Sequence, residues 1–96
     1  MKVIRYRVKP EHVAENERLI EDVFREMNAK RPGGTRYLVL SLSDGTFIHV
    51  AEGEITALDS HRTFRLRIDS RCLETPTTVD AKLVGEYRSN PQPASS

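Results

Sequence analysis

The chain predicts an α+β fold in which four strands form one antiparallel sheet and two helices pack on one of its faces. Three observations carry this reading. Apolar spacing switches between the two-residue period of strands and the helical period of about 3.6 residues, in the order strand, helix, strand, strand, helix, strand. Asp44-Gly45 sits between two runs rich in β-branched, leucine and aromatic residues, the strongest short-range hairpin signal. Both faces of that hairpin are apolar, so each needs a cover.

Residues 2–9, KVIRYRVK, place Ile4, Tyr6 and Val8 on one face and Val3, Arg5 and Arg7 on the other. Pro10 suits the first position of a helix and Glu11 suits its positive end. Helical spacing runs on to Lys30, with Val13, Ile20, Val23, Phe24 and Met27 on one stripe and Leu19 at its margin. Glu21 and Arg25, and Glu26 and Lys30, have the spacing of exposed ion pairs, and Pro32-Gly33-Gly34 ends the helix.

The hairpin spans residues 35–52, TRYLVLSLSDGTFIHVAE. A two-residue turn at Asp44-Gly45 would pair Ser43 with Thr46, Leu42 with Phe47, Leu40 with His49 and Leu38 with Ala51. One face would then carry Leu38, Leu40, Leu42, Phe47, His49 and Ala51; the other would carry Tyr37, Val39, Ser41, Ile48 and Val50. After Gly53, residues 56–59 have capping-box spacing, and Leu58, Phe64, Ile68 and Cys72 make the apolar side of a second helix, extended by His61. Pro76 is expected to stop it, and residues 79–88 to form the last strand, with Val79, Ala81, Leu83, Gly85 and Tyr87 on one face. Right-handed crossovers turn this order into a ferredoxin-like βαββαβ domain over residues 1–88. Residues 89–96, SNPQPASS, are expected to be a disordered tail.

Composition narrows the function. A net charge of +1 supplies no basic stripe, so nucleic acid is not expected as a partner. No apolar run approaches membrane-spanning length, which predicts a soluble, cytoplasmic protein without a membrane role. One cysteine, Cys72, leaves no disulfide framework, and the three histidines lack ligand spacing, so no metal is expected. A chain of 96 residues has limited power to bury a core alone. One helical layer covers one sheet face, so the second cover is expected to be another copy of the chain, a homodimer.

The stretches VIRYRVKPEHVAENERLIEDVFREM, RPGGTRYLVLSLSDGTFIHVAE and HRTFRLRIDSRC, with a closing GEYR, resemble the antibiotic-biosynthesis-monooxygenase superfamily over nearly all of residues 1–88. The resemblance implies a dimeric α/β barrel and, from characterised relatives, cofactor-independent oxygenation of small electron-rich quinols or phenols. Other relatives degrade haem with a tryptophan on the third strand, an asparagine on the first and a histidine on the second helix. This chain has no tryptophan and no asparagine on its first strand. No cofactor is therefore expected, and no catalytic residue transfers by position.

Four residues are candidates for catalysis. His49, mid-strand among apolar neighbours with Leu40 expected opposite, could act as a general base. Tyr37, Arg5 and Arg7 could hold an anionic oxygen if their faces line the barrel. Each has a structural alternative: a satisfied core imidazole, a packing tyrosine, and arginines paired across strands or subunits with residues such as Asp80 or Glu86. Asn16 and His61 fall inside helical apolar stripes, where a structural hydrogen bond is the commoner role. His12 lies at a helix margin, and Cys72 lacks the electropositive setting that activates a thiol. The competing function is a non-catalytic homodimeric module that binds a small hydrophobic molecule or only assembles. Single-stranded RNA binding would need stacked aromatics that this chain does not supply.

Overall fold

The computed structural model describes residues 1–89, so the expected tail, apart from Ser89, lies outside the described residues. Strand β1 (Lys2–Val8) leads through a 3-10 turn (Pro10–His12) into helix α1 (Val13–Lys30). Strands β2 (Arg36–Ser41) and β3 (Thr46–Glu52) form the hairpin. Helix α2 (Asp59–Arg65) and a short helix α3 (Ile68–Arg71) precede strand β4 (Cys72–Asp80). The sheet order is β2-β3-β1-β4 with every pairing antiparallel, which is the ferredoxin-like arrangement. Tyr6 and Val8 of β1, Phe47 and Ala51 of β3, Ile20 and Val23 of α1 and Phe64 of α2 make one core between sheet and helices.

The hairpin register differs by one residue from the expected one. Leu40 faces Ile48, Val39 faces His49 and Tyr37 faces Ala51. The loop has three residues, closed by the Leu42 amide donating to the Thr46 carbonyl at 2.8 Å and the Gly45 amide to the Leu42 carbonyl at 3.2 Å. A two-residue turn would need positive φ at both Asp44 and Gly45, but only Gly45 has it, at +88°. Asp44 instead accepts the Thr46 amide on its side chain at 2.9 Å. The Val8 amide donates to the Gly45 carbonyl at 2.9 Å, and a Cβ at Gly45 would lie 2.9 Å from the Val8 carbonyl oxygen. Strand β1 thus pins the longer loop.

A one-residue slip moves every β2 side chain to the other face. Tyr37 and Val39 therefore join Phe47, His49 and Ala51 beneath the helices, while Leu38 and Leu40 join Ile48 and Val50 on the open side. Leu38 and Leu40 remain about half exposed, at 51% and 49%.

The end of the chain also departs from expectation. Helix α2 stops at Arg65, Arg67 takes a left-handed conformation, and the strand begins at Cys72, so Cys72 is not helical and Pro76 lies within β4. Pro76 is tolerated because β4 is an edge strand and its pairing with β1 shifts register around that proline. Residues 81–88, expected in the last strand, have no regular secondary structure. Nor does the capping box form: Leu58 precedes α2 without a side-chain cap, and Ser60 is held instead by Glu26 of α1.

Candidate active site

Between the covered sheet face and the helices lies a cavity of about 860 Å³, lined by Ile4, Tyr6, Tyr37, His49, Ala51, Ile55, His61, Phe64, Ile68 and Thr78 among others. Alternation along β1 and β3 places Ile4, Tyr6, His49 and Ala51 on that wall, and the register of β2 adds Tyr37. Charged residues of both signs, Lys2, Glu52, Glu54, Arg65 and Asp69, also border it, and all are exposed.

His49 is 3% exposed and hydrogen-bonded at both ring nitrogens. The Tyr6 hydroxyl lies 2.7 Å from Nε2 and the Tyr37 hydroxyl 2.6 Å from Nδ1. Behind Tyr6, the Asn16 amide donates to the Tyr6 oxygen at 2.9 Å, and Arg71 Nε donates to Asn16 Oδ1 at 3.3 Å. Arg71 is 4% exposed; it also donates to the carbonyls of Phe64 at 2.6 Å and Leu66 at 3.0 Å, and its guanidinium lies 5.4 Å from the centre of the Phe64 ring. Among the described residues no carboxylate pairs with it. Tyr37 is steadied by stacking on Phe24, with ring centres 5.1 Å apart.

Burial sets the protonation states. It drives the His49 pKa down to about 4, with His61 adding to the effect, so the imidazole is neutral at pH 7. It pushes both tyrosine hydroxyls up, which keeps them protonated. His61 is 8% exposed, and its Nδ1 is sealed with no partner among the described residues. Burial, then the nearby Arg65, lowers its pKa as well.

His49 and Tyr37 are thus brought together on the cavity wall, though His49 faces Val39, not Leu40. Arg5 and Arg7 are not: they lie on the open face near Glu74 at 3.6 and 3.7 Å, where alternation along β1 puts them opposite Tyr6. Asp80 pairs with Lys2 and Glu86 with Arg36. His12 pairs with Glu15 at the surface. Cys72 is buried, and burial raises its thiol pKa. Among the described residues no group of three potential metal ligands gathers, and no helix is long and apolar enough to cross a membrane.

Sequence reasoning did not single out Arg71. A signal existed: it follows Phe64 by seven residues and Ile68 by three, so it falls on the apolar stripe, where a charge needs an explanation.

No protein-family model and no curated protein sequence matches the chain. Its fold does match solved structures. An antibiotic biosynthesis monooxygenase superposes with a TM-score of 0.66 at 17% identity, covering 88% of this chain and 98% of the other. A Nitrosomonas europaea protein assigned by name to the same group superposes at 0.70 with 14% identity, over 88% and 97% of the two chains. One from Caulobacter crescentus, also so assigned, gives 0.64 at 18% identity over 85% and 88%. The chain therefore has the fold of the antibiotic biosynthesis monooxygenases.

Proposed function

We propose that the protein is a cofactor-independent monooxygenase acting on a small electron-rich aromatic substrate, such as an anthrone-type quinol. The observation that carries this reading is the neutral Tyr6–His49–Tyr37 network on the wall of a cavity between sheet and helices. The fold shared with a protein named an antibiotic biosynthesis monooxygenase supports it. An anthrone loses a proton from carbon to give an enolate, which transfers electrons to oxygen and forms a carbon–oxygen bond. The resulting hydroperoxide loses water to leave a carbonyl. Substrate supplies every electron that oxygen takes up, so no reductant is needed. Tyr37 meets the enolate oxygen, His49 holds Tyr37 in place, and His61, which also lines the cavity, is the imidazole placed to receive the proton.

Oxygen uptake by purified protein supplied with an anthrone-type quinol tests this. Uptake above the uncatalysed rate is expected, and Tyr37→Phe should lower it about 10²–10³-fold, the usual worth of one donor to a developing oxyanion. Saturable binding without uptake would instead identify a small-molecule-binding module.

The same reading includes a homodimer formed through the open sheet face. Leu38, Leu40 and Val79 are exposed there beside Ile48 and Val50. Arg5, Arg7 and Glu74 give that face charges of both signs, which a second copy can complement. Light scattering should return twice the chain mass of 10.9 kDa.

A further inference from the structure

The hydrogen bonds leading to the cavity have one consistent direction, and Arg71 sets it. A guanidinium only donates, so the Asn16 atom facing it is the carbonyl oxygen, and the Asn16 amide nitrogen must donate to the Tyr6 oxygen. Tyr6 is fully buried, and its own proton has one acceptor within reach, His49 Nε2. A neutral imidazole carries one proton, so with Nε2 accepting, that proton sits on Nδ1 and is donated to the Tyr37 oxygen. Tyr37 has no other side-chain or backbone partner among the described residues, so its hydroxyl proton is left for the cavity that it lines.

We propose that the cavity takes its ligand through an acceptor oxygen held by the Tyr37 hydroxyl, binding a phenol or enol as its anion, and that Asn16 sets this preference from behind the wall. This rests on the site assigned above and specifies the ionisation state that its substrate takes once bound. The charges at the rim have both signs and are exposed, so they select neither form of the ligand. A buried cation with no carboxylate paired to it among the described residues, at the far end of the hydrogen-bond chain, favours negative charge at the near end. Asn16 is a positioning residue: it touches no ligand, yet it decides which way the protons point.

Asn16→Asp isolates that role. A carboxylate keeps the shape, accepts from Arg71 and pairs with its charge, but can only accept from Tyr6. Tyr6 then turns its proton away from His49, the His49 proton moves to Nε2, and Nδ1 accepts from Tyr37. Tyr37 would offer the cavity a lone pair and favour a neutral hydroxyl.

Two measurements test the proposal without turnover. Imidazole ¹⁵N shifts should show His49 protonated at Nδ1 in the unmodified protein and at Nε2 in Asn16→Asp. 4-Nitrophenol, followed by its phenolate absorbance, should ionise more readily when bound, by about one pH unit, a tenfold preference for the anion. Asn16→Asp should reverse that shift, and Tyr37→Phe should remove it. Protonation of His49 at Nε2 in the unmodified protein, an unchanged tautomer in Asn16→Asp, or failure to bind nitrophenolate at millimolar concentration overturns the proposal. If tautomer and ionisation behave as stated while quinol drives no oxygen uptake, the ligand assignment stands and the oxygenase reading falls.

Discussion

Phe47 and Ile48 are neighbours on β3 and belong to different worlds. Phe47 is 1% exposed, with its ring stacked 5.6 Å from Tyr6 in the core. Ile48 points the other way, beside Leu40 and Arg5, on a face with no helix over it among the described residues. The covered face holds a buried polar network that is satisfied from Arg71 to Tyr37 and opens onto a cavity. The open face holds apolar side chains and half-exposed ion pairs. On the covered face burial moves the pKa values, lowering that of His49 and raising that of Tyr37. The open face is suited to association.

Substitutions should separate the two faces. Phe47→Ala is expected to cost about 3–5 kcal/mol in urea unfolding, since it leaves a void in a packed core. The paired carboxylate substitutions divide the faces further. Val39→Asp places a charge among the partly buried core contacts and should destabilise the protomer by several kcal/mol, roughly. Ile48→Asp should instead halve the mass seen by light scattering while the protomer stays folded. Equal effects from both would end the distinction.

The covered face should also respond to acid. The His49 pKa is depressed from the ordinary 6.5 to about 4, so between these values the unfolded chain binds a proton that the folded chain refuses. Stability is therefore complete above about pH 6.5 and falls as pH drops towards 4, by about 2–4 kcal/mol in all. Glu26, held down to about 2 chiefly by Lys30 and then by Ser60, acts in a separate and lower window. Melting temperature against pH should show the first loss above pH 4, and His49→Ala should remove it while lowering stability at neutral pH. The smallest effect belongs to the open face: Glu74→Gln should change stability by less than about 1 kcal/mol, and salt should erase the difference.

Much of the site was legible in the chain, and its gaps have identifiable causes. Tyr37 and His49 stood out as polar groups in apolar strands, and Asn16 and His61 as polar breaks in helical stripes, while Tyr6 was read only as part of the apolar face of its strand. Their partnership did not show, because the expected two-residue turn put Tyr37 on the opposite face from His49. Arg71 was passed over although it falls on the stripe of the expected helix; the break at Arg67 brings β4 forward and leaves the guanidinium under Phe64.

Element order, the antiparallel α+β class, the division of β1 into an apolar and a cationic face and the buried stripe of α1 were determined by the sequence alone. These follow from periodicity, which expresses backbone geometry over a few residues and needs no distant partner. The tertiary structure decided the hairpin register, the position of β4 and the direction of the hydrogen-bond chain. Each depends on groups far apart in sequence: Val8 approaching Gly45 at the turn, β1 accepting an edge strand with a proline, and a buried arginine orienting an amide 55 residues away. Local pattern can place a tyrosine and a histidine on strands, but only packing determines which of them gives the proton.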